Sequence, residues 1–177
     1  SILEKIEKPI PKFISVSKLN FDNAEIHGGV TKDASARGGL SYTIIEPSLS
    51  EKDKKNFEII KKLLMIELTV SLSEIKTKKA AEIKLSRKIA QLIKKYKLEI
   101  PAKNLSKITY YARRDFVYLG KIEPLMRDHM VEEISCDGTN IPLYIWHREF
   151  ESIPTNIRFE TDKELNNFAR KVSYVSG

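Results

Sequence analysis

Cysteine is almost absent. Cys136 stands alone in 177 residues, so no disulfide can close within the chain and nothing points to an oxidising compartment. Long apolar runs are missing as well. The opening SILEKIEKPIPKF breaks its apolar residues with charges and prolines, which excludes a signal-peptide core or a membrane span there. No glycine precedes the G-x-x-x-x-G-K-[ST] pattern, so the chain has no phosphate-cradling P-loop of its own; Gly28, Gly29, Gly38 and Gly39 lack the lysine and the following helix. Internal repeats and low-complexity tracts are absent too. Glycine and proline disappear between Ser48 and Ile100, leaving that interval free of helix breakers.

What is present is a core-forming share of apolar residues, 41%, and a surplus of positive charge, +7, that is unevenly placed. Residues 51–103 carry 15 Lys/Arg against 7 Asp/Glu, whereas the rest carries 16 against 17, so the basic character belongs to one segment. Within it Ser50 is an N-cap with Asp53 three residues on, and Phe57, Ile60, Leu64 and Leu68 recur at helical spacing. TVSLSE, Thr69–Glu74, fits a turn. A second helix places Ile83, Ile89 or Ala90, Ile93 and Tyr96 on one face and ends before Pro101. The pattern predicts a helical hairpin with a basic outer face.

Before this segment, Pro9, Pro11 and the two Gly pairs favour loops over residues 1–39, with a short strand in Lys12–Phe21; a second strand, Tyr42–Ile45, stops before Pro47. After it Asn104 is a capping residue for a third helix with Leu105, Ile108, Ala112, Phe116 and Leu119 as its stripe and Gly120 beyond its end. Pro124 suits the first turn of a short helix. The period then changes to two: MVEEISC, LYIWHREF and TNIRFE read as strands, with DGTNIP a turn and ESIP a loop. Thr161 and Glu164 open a last helix with Leu165, Phe168, Ala169, Val172 and Val175 as its stripe. The expected fold class is α+β, a basic helical hairpin or bundle followed by a small α+β domain with an antiparallel sheet. The expected divisions are an N-terminal extension with short strands (1–50), a basic helical subdomain (51–103) and an α+β subdomain (104–177).

RDHMVEEISCDG, residues 127–138, gathers four acids, His129 and Cys136. Its spacing fits no zinc or calcium loop, and strand geometry sends Glu132 and Glu133 to opposite faces, so no metal site is expected. Nucleophilic chemistry at Cys136 would draw on His129 or His147, the histidines within reach in the sheet, but a lone cysteine at the end of a strand reads as a packed small hydrophobe, and Asp137-Gly138 as turn chemistry. The stretch is expected to be a helix end, a strand and a turn with its acids exposed. On the basic segment Lys84, Arg87, Lys88, Lys94 and Lys95 are partner-binding candidates, for an acidic protein or anionic headgroups. Few arginines and aromatics accompany them, so specific nucleic-acid reading is not expected and any such contact is salt-sensitive. Arg148, Arg158 and Arg170 are candidate anion contacts, each also explicable as an ordinary ion-pair partner.

YYARRDFVYLGKIEPLMRDHMVEEISCDGTNIPLYIWHREFESIPTNIRF, Tyr110–Phe159, resembles the N-terminal domain of archaeal type II/IV secretion-system ATPases, which power pilus and archaellum assembly. The family pattern R-D-F, G-K-I-x-P-L-M-x-D, E-D-I-x-C-D-G, P-x-Y-V-x-H-R-x-Y, T-N-I-x-F recurs in order, and YTIIEPSL, Tyr42–Leu49, is similar to that family's entry strand. Tyr118 and Glu133 depart from it. The resemblance implies a hexamer that binds ATP and Mg, works at the cytoplasmic face of the membrane and docks on a membrane platform protein. It places the Walker motifs in a C-terminal domain after Gly177, leaving no catalytic residue in this chain alone. It further implies that N-domain arginines approach the nucleotide held there, with Arg170 in FARKVSYVSG the best match and Arg148 and Arg158 matching by pattern. A different class of function, a free-standing basic module binding nucleic acid non-specifically through residues 51–103, is the alternative.

Overall fold

A computed structural model of the chain describes residues 11–21, 24–68, 72 and 75–176, with side chains up to residue 173. The fold is α+β and divides into two compact units, residues 1–46 with 122–177, and residues 47–121.

In the first unit six strands form one sheet in the order β1-β2-β3-β6-β5-β4. They are β1 (Phe13–Phe21), β2 (Ala24–Lys32), β3 (Leu40–Ile45), β4 (Val131–Ser135), β5 (Pro142–His147) and β6 (Glu151–Arg158). Neighbours are antiparallel except β3 and β6, which run parallel at Tyr42 and Thr155. Parallel neighbours need a crossover, and the whole helical unit is inserted in that connection. Period-two burial follows the sequence: Leu19 and Phe21 on β1, Ile26 on β2, Leu143 and Ile145 on β5 and Ile153 on β6 are buried. The short helix α4 (Glu123–Met126) starts with Pro124 in its first turn, as expected, and buries Leu125.

In the second unit α1 (Glu51–Glu67), α2 (Lys78–Lys95) and α3 (Ala102–Phe116) share a core of Phe57, Ile60, Leu64, Leu85, Ile89, Leu92, Ile108 and Ala112. Fully buried side chains of this kind contribute about 1.5–3 kcal/mol each. Ser50 caps α1, its hydroxyl accepting the Asp53 N–H at 3.2 Å, as its position predicts.

Several expectations are corrected. The strands of residues 13–21, 24–32 and 40–45 are no extension, because β1, β2 and β3 complete the sheet; the third helix joins the helical unit, so the breaks at 50 and 103 give way to 46 and 121. Gly28 and Gly29 lie inside β2, where a Cβ would meet the Tyr42 hydroxyl and the Ser15 carbonyl, each at 2.2 Å; the pair marks close approach, not a loop. Helix α2 buries Ala81, Leu85, Ile89 and Leu92, and leaves Ile83 and Tyr96 exposed. Pro101 precedes α3, and Asn104 donates to Asp53 Oδ1 and Oδ2 at 3.1 Å instead of capping. ESIP belongs to β6, whose pairing with β5 is irregular between Pro142 and Tyr144 and so admits Pro154. Leu72 apart, the turn expected at Thr69–Glu74 lies outside the described residues, as does the Val175 side chain.

Candidate functional site

Helix α5 (Asp162–Ser176) carries Arg170. The helix begins where Glu164 N–H meets Thr161 Oγ1 at 3.2 Å, and it is seated by Phe168 stacking on Phe159 with ring centroids 5.0 Å apart. Arg170 is exposed and makes no ion pair among the described residues. Arg148 follows β5, and its Nε lies 3.2 Å from Glu132 Oε1. Arg158 is exposed at the far end of β6, opposite Pro142, whereas Glu151 at the near end pairs with His147. Eight strand residues therefore separate the Arg148 and Arg158 ends of the β5–β6 ladder, about 23 Å at the usual rise per residue. The three arginines do not converge on one anion. Phe159, next to Arg158, stacks on Phe168, two residues before Arg170, while Arg148 lies at the other end of the ladder.

Asp128 departs from the expectation that the acids of 127–138 are exposed, being only 3% exposed. Its Oδ2 accepts from the Tyr42 hydroxyl, and its Oδ1 from Ser17 Oγ at 3.2 Å and Met130 N–H at 2.9 Å. The buried His147 ring lies 6.1 Å from that of Tyr42 and 5.2 Å from that of Phe150, and its Nδ1 accepts the Glu149 N–H at 3.2 Å. Burial first, and then the Asp128 carboxylate, push the Tyr42 phenol far above its ordinary value, so it remains a donor. Burial lowers His147 against the opposing pull of Asp128 and Glu149, which favours the neutral ring that Nδ1 acceptance requires. With Tyr42 at 0% and His147 at 2% exposure, no substrate reaches this cluster, which ties β1, β3 and the entry to β4 together. Cys136 is exposed rather than packed, because β4 ends at Ser135 and the chain leaves the sheet. His129 and Cys136 flank β4 about 20 Å apart, too far for a nucleophile and its base.

On the helical unit Glu67, in the last turn of α1, accepts from Lys95 at 2.8 Å, the Tyr96 hydroxyl at 2.8 Å and Lys88 at 3.0 Å. These three hold its carboxyl down at about 2. Lys88 and Lys95 are thus engaged within the unit, while Lys84, Arg87 and Lys94 are exposed and make no ion pair among the described residues.

The uncharacterized protein MJ1288 of Methanocaldococcus jannaschii is 32% identical over 175 residues, which are 99% of this chain and 68% of that protein. The chain belongs to the MJ1288 family. The match to MJ1288 takes in both units. The uncharacterized protein MJ0900 of the same organism is 31% identical over 81 residues, 46% of this chain and 14% of its own length. No family model matches.

Sequence reasoning weighed Asp128 and His147 for metal and nucleophile chemistry and missed Tyr42, since no spacing rule joins position 42 to 128. A Gly-Gly pair between β-branched and aromatic runs was the available signal. It also passed over Met65 and Ile66, two apolar residues off the stripe of α1.

Proposed function

We propose that the chain is the N-terminal regulatory and interaction part of a hexameric secretion motor ATPase. Its helical unit docks at the membrane platform, and its α+β unit presents an arginine to nucleotide held by a C-terminal ATPase domain or a neighbouring subunit. The observation that carries the reading is Arg170, an exposed guanidinium without an ion-pair partner among the described residues, on a helix whose sequence is similar to the arginine helix of that group. The ordered motifs from Tyr110 to Phe159 support it. So does the match to MJ0900, where the shared stretch is 14% of a longer chain, as expected of a module joined to further domains.

ATP with Mg supplies the transferable phosphoryl group, and this chain has no P-loop to hold it. Arg170 fits an anion-contacting role: a planar guanidinium offers paired N–H donors to phosphate oxygens, and a neighbouring domain can supply it. Arg148 fits less well, since Glu132 already occupies it and it stands at the other end of the ladder.

The test is ATP turnover by the full-length gene product. Arg170→Ala is expected to lower kcat about 100-fold with an unchanged urea midpoint, and Arg148→Ala to leave turnover near that of the parent. Unchanged turnover in Arg170→Ala, or a full-length product without ATPase activity, overturns the reading.

A further inference from the structure

We propose that the outer side of the α1–α2 pair docks directly on an anionic lipid surface. Ile59, Met65 and Ile66 enter the headgroup region, and Lys62, Lys84 and Arg87 meet the lipid charges. The proposal deepens the docking half of the function above and rests on it only for a setting beside a membrane.

Met65 is 75% exposed, Ile66 78% and Ile59 43%, although Ile60 and Leu64 beside them are fully buried. Ile59 and Ile66 are seven positions apart and share one side of α1, with Lys62 between them and Met65 adjoining. That side adjoins Glu67, whose bonds to Lys88 and Lys95 form the seam between α1 and α2. On α2 the positions next outward from Lys88 are Lys84 and Arg87, both exposed. Apolar side chains and cations without an ion pair among the described residues therefore lie on one continuous outer side. Neither group helps fold the unit, whose core is complete beneath it.

Composition identifies the occupant. Residues 47–121 carry 19 Lys/Arg against 8 Asp/Glu, a surplus of +11, and 16 of the 19 are lysine. Protein interfaces enrich arginine and deplete lysine, and nucleic-acid surfaces add arginine forks and stacking aromatics. Lysines around exposed Ile and Met match the interfacial helices of peripheral membrane proteins. There the apolar side enters the headgroup boundary, the stems of the lysines lie along it and their ammonium groups meet anionic lipid.

The 177-residue chain is sedimented with phosphatidylcholine vesicles and with vesicles in which about a third of the lipid is phosphatidylglycerol, enough to set a negative surface potential. Binding to the anionic vesicles alone, released by high salt, is expected. Met65→Ser with Ile66→Ser lowers the partition coefficient about tenfold, and Lys62→Ala with Lys84→Ala about 30-fold. All four side chains are exposed, and urea midpoints measured in parallel identify any variant that has lost its fold; each pair tests the proposal separately. Equal binding to neutral vesicles, no binding to either, parent-like binding by a folded variant, or retention only by an acidic protein or duplex DNA overturns it. Failure here leaves the Arg170 turnover result standing, and loss of that result leaves vesicle binding standing.

Discussion

Tyr42→Phe deletes one oxygen and tests whether the buried carboxylate of Asp128 holds the sheet unit together. In the parent Asp128 has three donors, the Tyr42 and Ser17 hydroxyls and the Met130 N–H. Removing one donor from a buried ionised acceptor costs about 2 kcal/mol. Asp128→Ala strands all three donors at once and should cost about 3 kcal/mol or more. Since both single variants lose the same Tyr42–Asp128 bond, the double variant should fall short of their sum by about 1–2 kcal/mol. The chain has one tryptophan, Trp146 on β5, so fluorescence in a urea titration reports the sheet unit without interference from the helical one. Additive costs, or a Tyr42→Phe variant within about 0.5 kcal/mol of the parent, would show that the tie contributes nothing and that its polar atoms are merely tolerated.

The Glu67 carboxyl, held at about 2 against an ordinary 4.5, binds protons more weakly folded than unfolded. Its stabilisation is therefore complete above pH 4.5 and is lost as pH falls towards 2; Glu67→Gln should flatten acid unfolding of the helical unit, followed by circular dichroism, in that window only. Gly29→Ala should destabilise the sheet unit more than Gly28→Ala. The first drives a Cβ to 2.2 Å from the backbone carbonyl of Ser15, which only a break in the β1–β2 pairing relieves; the second drives one to the same distance from the Tyr42 hydroxyl, which can yield by giving up its bond to Asp128. Equal urea midpoints for the two would refute that account.

Local rules made most elements legible. The Ser50 cap, the first turn at Pro124 and the Thr161–Glu164 start each involve residues within four positions of one another, where side chain and backbone meet whatever the rest of the chain does. What failed was non-local. β2 was invisible because its two glycines serve partners at positions 42 and 15, which only the register of the hairpin brings near. Asp128 looked like one more surface acid because its strongest partner is 86 residues away. The buried side of α2 was misjudged by a fraction of a turn, since Ile83 and Leu85 are equally apolar and packing against α1 and α3, not hydrophobicity, chose Leu85.

The separation of charge between the units argues for two modes of anion contact. Residues 47–121 sum to +11, so their field attracts any negative surface over a Debye length and needs no defined geometry. The remaining residues carry 12 Lys/Arg against 16 Asp/Glu, a sum of −4, so the unit bearing Arg170 repels phosphate at range. An arginine in that setting holds an anion only by direct paired hydrogen bonds at contact distance, with the anion delivered by something else. Salt therefore separates the two: raising ionic strength should release the helical unit from a charged surface while leaving an Arg170 contact, once made and desolvated, nearly unchanged. A turnover defect in Arg170→Ala that vanished in high salt would mean the arginine acts through the field, and the contact geometry argued for it would be wrong.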